Sequence, residues 1–312
     1  MKLIKPSFEI IEQKPRDIVI PADMEIGPRM WKDELINSVY RQIEIAGRTC
    51  YKSEDKITET SAKEFVDRMV KSGHGAMLEH GTVYLKVPNS VVDEGFQFGT
   101  NWSTLCLNPY TRYISDGDYY YYTTNYRVII EHDLQGVLEY LCEPTEYHEK
   151  RITVKFVCDR GVSHEFVRHR VFSFAQESTR YCNYSKDKFG KELNCIIPCW
   201  YKNMFEGNSY NIELCHTYDL TISEGLSRTE AAWIQAMCEA ESTYFGLLTE
   251  GEPAQQARNV LPLALKTELI MTGTVEQWKG FFKLRDAGSA HPQAYELAHP
   301  LHEEFIKRGW IK

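Results

Sequence analysis

Residues 151–182 read RITVKFVCDRGVSHEFVRHRVFSFAQESTRYC, and the rest of the chain is best read outward from this stretch. Over 151–157, Ile152, Val154 and Phe156 alternate with Thr153 and Lys155, the period of a half-buried strand. The pattern then predicts a short helix starting near Ser163, with Arg168, His169 and Arg170 at or just past its end. Consecutive residues fan around a helix by about 100° each, so these three cannot all enter one core face. Two neighbouring guanidiniums also repel unless an anion lies between them. Ten residues later comes Arg180. In an extended segment Ser178 and Arg180 would share a side, and a hydroxyl beside a fork-shaped guanidinium suits a phosphate. Any one of these arginines alone reads as a surface ion pair. Arg160, Arg168, Arg170 and Arg180 together, with His164 and His169, are harder to explain that way in an acidic chain.

The chain has 312 residues, with 36 Lys and Arg against 44 Asp and Glu, a formal charge of −8. Such a balance disfavours nucleic acid as a partner. Hydrophobic residues make up 43%, enough for a sizeable core. Mean hydropathy is −0.43 and no run of about 18 apolar residues occurs, so no membrane span is expected. The first apolar stretches are too short for a signal-peptide core, which predicts a cytoplasmic protein. Nine cysteines show no C-x-x-C pair and no Cys/His set with zinc spacing, so thiols are expected reduced and no metal site is expected.

Helical stripes are expected over 32–46, from Ser61 to Gly73 with a Ser61/Glu64 capping box, and over 228–249 with Ser227 and Glu230 as cap. Shorter helices are expected at 254–260, 263–272, 275–285 and 292–308. Strands are expected at 82–87, 119–122 and 151–157. Strands thus gather before residue 160 and helices after it, which gives an α+β or mixed α/β class.

The spacing Arg168-His169-Arg170, then Ser178, Arg180 and Tyr181, resembles the signature of the flavin-dependent thymidylate synthases. Four further segments resemble that family in the same order. They are Arg48-Thr49-Cys50-Tyr51, Gly73 to His80 (GHGAMLEH), Ala257 to Pro262 (ARNVLP), and Phe282 to Arg285 with Gln293 and Glu296 beyond. The matches cover about 30–88 and 151–298.

The resemblance implies a single catalytic domain over 1–312 with a central, mostly antiparallel sheet, packed helices, and insertions near 89–150 and 183–220. It implies reductive methylation of dUMP to dTMP, with methylenetetrahydrofolate as carbon donor and FAD reduced by NADPH. Arg285 is implied as the catalytic group that stabilises uracil ionised at N3. Arg168, Gln176, Glu177, Ser178, Thr179, Arg180, Arg258 and Arg285 are implied as dUMP contacts. Arg168, His169, Arg170 and His74 are implied for FAD, the first three as neutralising charge, and His74 also for folate. A homotetramer with sites at subunit interfaces is implied. The chain departs from the family pattern in carrying Ala175-Gln176-Glu177 where Asn-Glu is usual, and Thr274 and Gly280 where asparagines are frequent. A catalytically impaired nucleotide- or flavin-binding protein of the same fold is therefore the alternative. Cys199, between Pro198 and Trp200, reads as structural.

Overall fold

A computed structural model describes residues 1–16, 27–97, 101–213, 219–221 and 224–312; Cys215 and part of the expected 183–220 insertion lie outside them. Its centre is a four-stranded antiparallel sheet in the order β2-β6-β9-β7. These strands are β2 (Ser7–Ile11), β6 (Arg151–Asp159), β7 (Ser173–Gln176) and β9 (Lys266–Thr274). Strands β1 (Lys2–Ile4) and β8 (Asn194–Ile196) pair parallel, Leu3 against Cys195. Strands β3 (Thr82–Pro88), β4 (Arg112–Ser115) and β5 (Tyr119–Asn125) form a second antiparallel sheet in the order β3-β5-β4.

Helix α1 (Pro28–Tyr51) packs on one face of the central sheet, Ala46 meeting Ala175 and Ile270. On the other face lie α7 (Arg160–Phe166), α10 (Val275–Arg285) and α11 (Pro292–Lys307). There Val154, Phe156 and Met271 pack with Phe166, Trp278, Phe281 and Phe305, all fully buried. Helix α1 and α2 (Ser61–Lys71) share a further core with β3. Residues 89–150 join that core, because Trp102, Leu105, Tyr122 and Ile129 pack into it with Ile43 and Leu85. This stretch includes α4 (Asn89–Gln97), α5 (Asn101–Leu107) and α6 (Tyr126–Glu131). Between α2 and β3 lies a one-turn α3 (Gly75–Leu78), and α8 (Arg228–Thr249) precedes a short α9 (Ala254–Ala257).

The mixed class, the antiparallel central sheet and most helices agree with the sequence reading. Four local expectations do not. Residues 263–272 were expected to be helical, yet 266–274 form one of the sheet's two inner strands; β9 is buried on both faces, which hides the alternation a strand usually shows. Strands therefore do not stop at residue 160. The Ser61/Glu64 capping box does not form: Ser61 Oγ donates to the Glu44 carboxylate at 2.9 Å, while Glu64 pairs with Arg68. Helix α7 begins at Arg160, three residues early, because the Asp159 carboxylate accepts from Val162 N at 2.8 Å and caps it. Lastly, 178–181 is a turn, not an extended segment, with Tyr181 N and Cys182 N both donating to the Ser178 carbonyl. The expected box at α8 does form between Ser227 and Glu230.

Candidate active site

The Arg168-His169-Arg170 loop hangs between two aromatic anchors. Phe166 is fully buried, 5.0 Å from the Phe156 and Phe281 rings, and Phe172 is 4.7 Å from Trp278. With both ends pinned, the residues between them turn outward, and Arg168 and Arg170 are exposed. Neither has an ion-pair partner among the described residues. Two such guanidiniums are a donor set that fits a diphosphate.

His169 behaves differently. It packs 5.0 Å from the Phe281 ring and its Nε2 accepts from Arg285 Nε at 3.0 Å. Burial, and then the Arg285 charge, push its pKa down to about 4. The imidazole is therefore neutral near pH 7, and the positive charge expected of it at this loop comes only from its two neighbours. Arg285 ends α10, and its guanidinium is held by the Glu165 carboxylate and by the Glu165 carbonyl, the latter at 2.8 Å. Arg285 and the arginine loop, more than a hundred residues apart in sequence, thus meet through Glu165 and His169.

A second group forms around the Ser178 turn. Glu177 N donates to the Glu268 carbonyl at 2.8 Å and Ser178 N to the Cys50 carbonyl at 3.0 Å. The buried Glu177 carboxylate accepts from Tyr184 Oη at 3.1 Å and Lys266 Nζ at 2.8 Å. Glu268 in turn receives Lys52 at 2.8 Å and Lys155 at 2.6 Å, as well as Lys266. Burial pushes the Glu268 carboxyl up, but Lys266 and Lys52 outweigh it and hold the group well below the usual carboxylate range. This ion network on β6 and β9 fixes the turn from below. Thr179 is buried, whereas Arg180 is exposed and lies 4.9 Å over the Tyr181 ring. Tyr181 meets Tyr51 edge-on at 5.6 Å, and Tyr51 Oη is 3.2 Å from His74 Nδ1. Tyr51, Arg68, Lys71, His74 and Tyr181 border an open cleft of about 650 Å³.

Three segments that are distant in sequence, Arg48–Tyr51, Gly73–His80 and Ser178–Tyr181, therefore converge in a single chain. Arg48 itself is buried in a pair with Glu44 at 2.8 Å. Gln176 is near the turn, with Nε2 donating to Ser163 Oγ at 2.8 Å and to Thr267 Oγ1 at 3.2 Å. Arg258 stands exposed at the start of a 3₁₀ turn, and no hydrogen bond or ion pair joins it to either group among the described residues. Glu165 and the lysine network escaped the sequence reading. Their only signal was Lys266 and Glu268 two apart, which carries meaning once 266–274 is known to be a strand.

Residues 144–308, just over half of the chain, match the family described as thymidylate synthase complementing protein. The chain belongs to that family. Among its relatives is a flavin-dependent thymidylate synthase of Pyrococcus furiosus, 30% identical over 155 residues, or 50% of this chain and 54% of that protein. Another, of Geobacter sulfurreducens, is 29% identical over 139 residues, 45% of this chain and 49% of that one. The chain thus spans about half the length of the curated relatives it matches. Among solved structures, a UMP/dUMP methylase from Streptomyces cacaoi bound with 5-Br dUMP aligns over 98% of this chain and 93% of its own, at 15% identity and a TM-score of 0.40.

Proposed function

We propose that this protein is an FAD-dependent thymidylate synthase that reductively methylates dUMP at C5, with methylenetetrahydrofolate as carbon donor and NADPH as reductant. The observation that carries this reading is the meeting of the arginine loop with Arg285, in a chain whose family membership rests on the same half of the sequence. Arg168 and Arg170 would hold the FAD diphosphate, with neutral His169 as a further contact; His74 would contact the flavin and also face the folate. When bound, FAD supplies the hydride. The Ser178 hydroxyl, Arg180 and backbone N–H groups would take the dUMP phosphate, flanked by Gln176, Glu177 and Thr179, with Arg258 a further cation. Arg285 would stabilise uracil ionised at N3, which makes C5 more nucleophilic without a protein nucleophile.

The same reading makes the whole chain one catalytic domain and its assembly a homotetramer. Arg258, exposed and joined to neither group by a hydrogen bond or ion pair among the described residues, would then reach a site completed by another copy. Purified protein should be yellow, and incubation with tritiated dUMP and the co-substrates should release tritium from C5. Nucleotide binding without tritium release would instead favour the impaired binding protein.

A further inference from the structure

Strand β4 ends the second sheet on one side: in the order β3-β5-β4, only β5 pairs with it among the described residues. All four residues of β4 are exposed. A free edge invites pairing with another strand unless Lys, Pro, a bulge or a covering element prevents it. β4 has no Lys and no Pro, and its register with β5 runs unbroken from Arg112 opposite Thr123 to Ser115 opposite Tyr120. Large apolar side chains are also left in water here. Leu107 is 84% exposed and Tyr110 72%, and Tyr113 and Ile114 are about half exposed. Their closeness along the chain makes a patch rather than a scatter.

The register settles which backbone groups face outward. Asp116 N donates to the Tyr119 carbonyl at 3.2 Å, which closes the hairpin. Hydrogen-bonded pairs alternate along an antiparallel ladder. Arg112 and Ile114 therefore bond inward to β5, and the N–H and C=O groups of Tyr113 and Ser115 point away from the sheet. The side chains of Arg112, Ile114 and Asp116 share one face. Asp116 is anchored there, its carboxylate accepting from Asp118 N at 3.0 Å, Tyr119 N at 2.8 Å and Tyr121 Oη at 2.7 Å, all uncharged donors. Arg112 makes only a long contact, 3.8 Å, to Glu149 among the described acids. Arg112 and Asp116 lie about 13 Å apart along the strand, too far to pair within one chain.

We infer that β4 pairs antiparallel with β4 of a second copy of this chain, about a twofold axis at Ile114. Tyr113 then exchanges backbone hydrogen bonds with Ser115 of the second copy, Ile114 meets its own counterpart, and Arg112 of each copy faces Asp116 of the other. Moving the axis to Tyr113 or Ser115 sets Ile114 against Arg112 or Asp116 and loses the charge match. The contact does not rest on the proposed reaction.

The test is the particle mass of the full chain by analytical ultracentrifugation at low salt, for wild type, Ile114→Lys, Ile114→Glu and Arg112→Glu. Both positions are exposed, and matched melting curves check the fold. Each variant sets like charges opposite one another across the axis, so each should halve the wild-type mass. An equimolar mixture of Ile114→Lys and Ile114→Glu should recover it, because Lys then faces Glu. Wild-type protein that stays at the 36.3 kDa of one chain overturns the contact, as does any of the three variants that keeps the wild-type mass. Halved variants whose mixture does not recover overturn the axis at Ile114. Formation of dTMP is read separately: turnover without edge pairing sinks this contact alone, and edge pairing without turnover sinks the proposed reaction alone.

Discussion

Arg285 carries the most specific residue-level expectation. Its guanidinium is shared between Glu165 and His169, so its position is fixed before any substrate arrives. Replacing Arg285 with Ala should lower turnover by at least a hundredfold while the flavin is retained, read by dTMP formation and the visible flavin spectrum; unchanged turnover would refute the role. A second expectation concerns Glu296. Burial, and then the neighbouring Asp159 charge, raise its pKa to about 7. Glu296 Oε1 and Asp159 Oδ2 are both buried without hydrogen-bond partners among the described residues. Because the folded pKa lies above the ordinary value, the stability from this group is fully present below about pH 4.5 and is lost as pH rises through 7. Glu296→Gln should therefore raise stability at pH 8 by about 1–2 kcal/mol, after allowance for partial solvent access, and change little at pH 4. Urea denaturation at both pH values checks this, and equal effects at the two would contradict it.

At the scale of elements, Gly273 on β9 shows how tightly the sheet meets the arginine loop. A Cβ there would come within 2.5 Å of the Phe172 ring, which Trp278 confines from the other side. Gly273→Ala should cost about 1–3 kcal/mol by overpacking, measured by chemical denaturation. The helices α8, α10 and α11 were legible because each pairs an apolar stripe with polar flanks. The 151–157 strand was legible because its alternation survives. Strand β9 was not, because Leu269, Ile270 and Met271 are all fully buried and lose the period-two pattern. The turn at 178–181 was also hidden, since Ser178 N donates to the distant Cys50 carbonyl while the Ser178 carbonyl accepts from Tyr181 N and Cys182 N. In the site, the density of arginines was visible in sequence. Their division was not: Arg168 and Arg170 have no ion-pair partner among the described residues, whereas Arg285 is gripped by Glu165, a partner 120 residues away. Nor did the sequence show that His169 is held neutral, which follows from its burial beside Phe281 and Arg285.

At the scale of the whole molecule, two hydrophobic cores flank α1, one with the central sheet and one with residues 89–150. No disulfide joins the eight described cysteines, and no helix among the described residues is long and apolar enough to cross a membrane. The proposed homotetramer predicts four times the 36.3 kDa chain mass in light scattering; a strict monomer that still turns over would remove the need for a site shared between copies. The most direct test of the account is an anaerobic incubation of the full chain, reconstituted with FAD, with dUMP, methylenetetrahydrofolate and NADPH. It should yield dTMP, with tetrahydrofolate released unoxidised. Flavin-loaded protein that binds dUMP yet forms no dTMP under these conditions would contradict it.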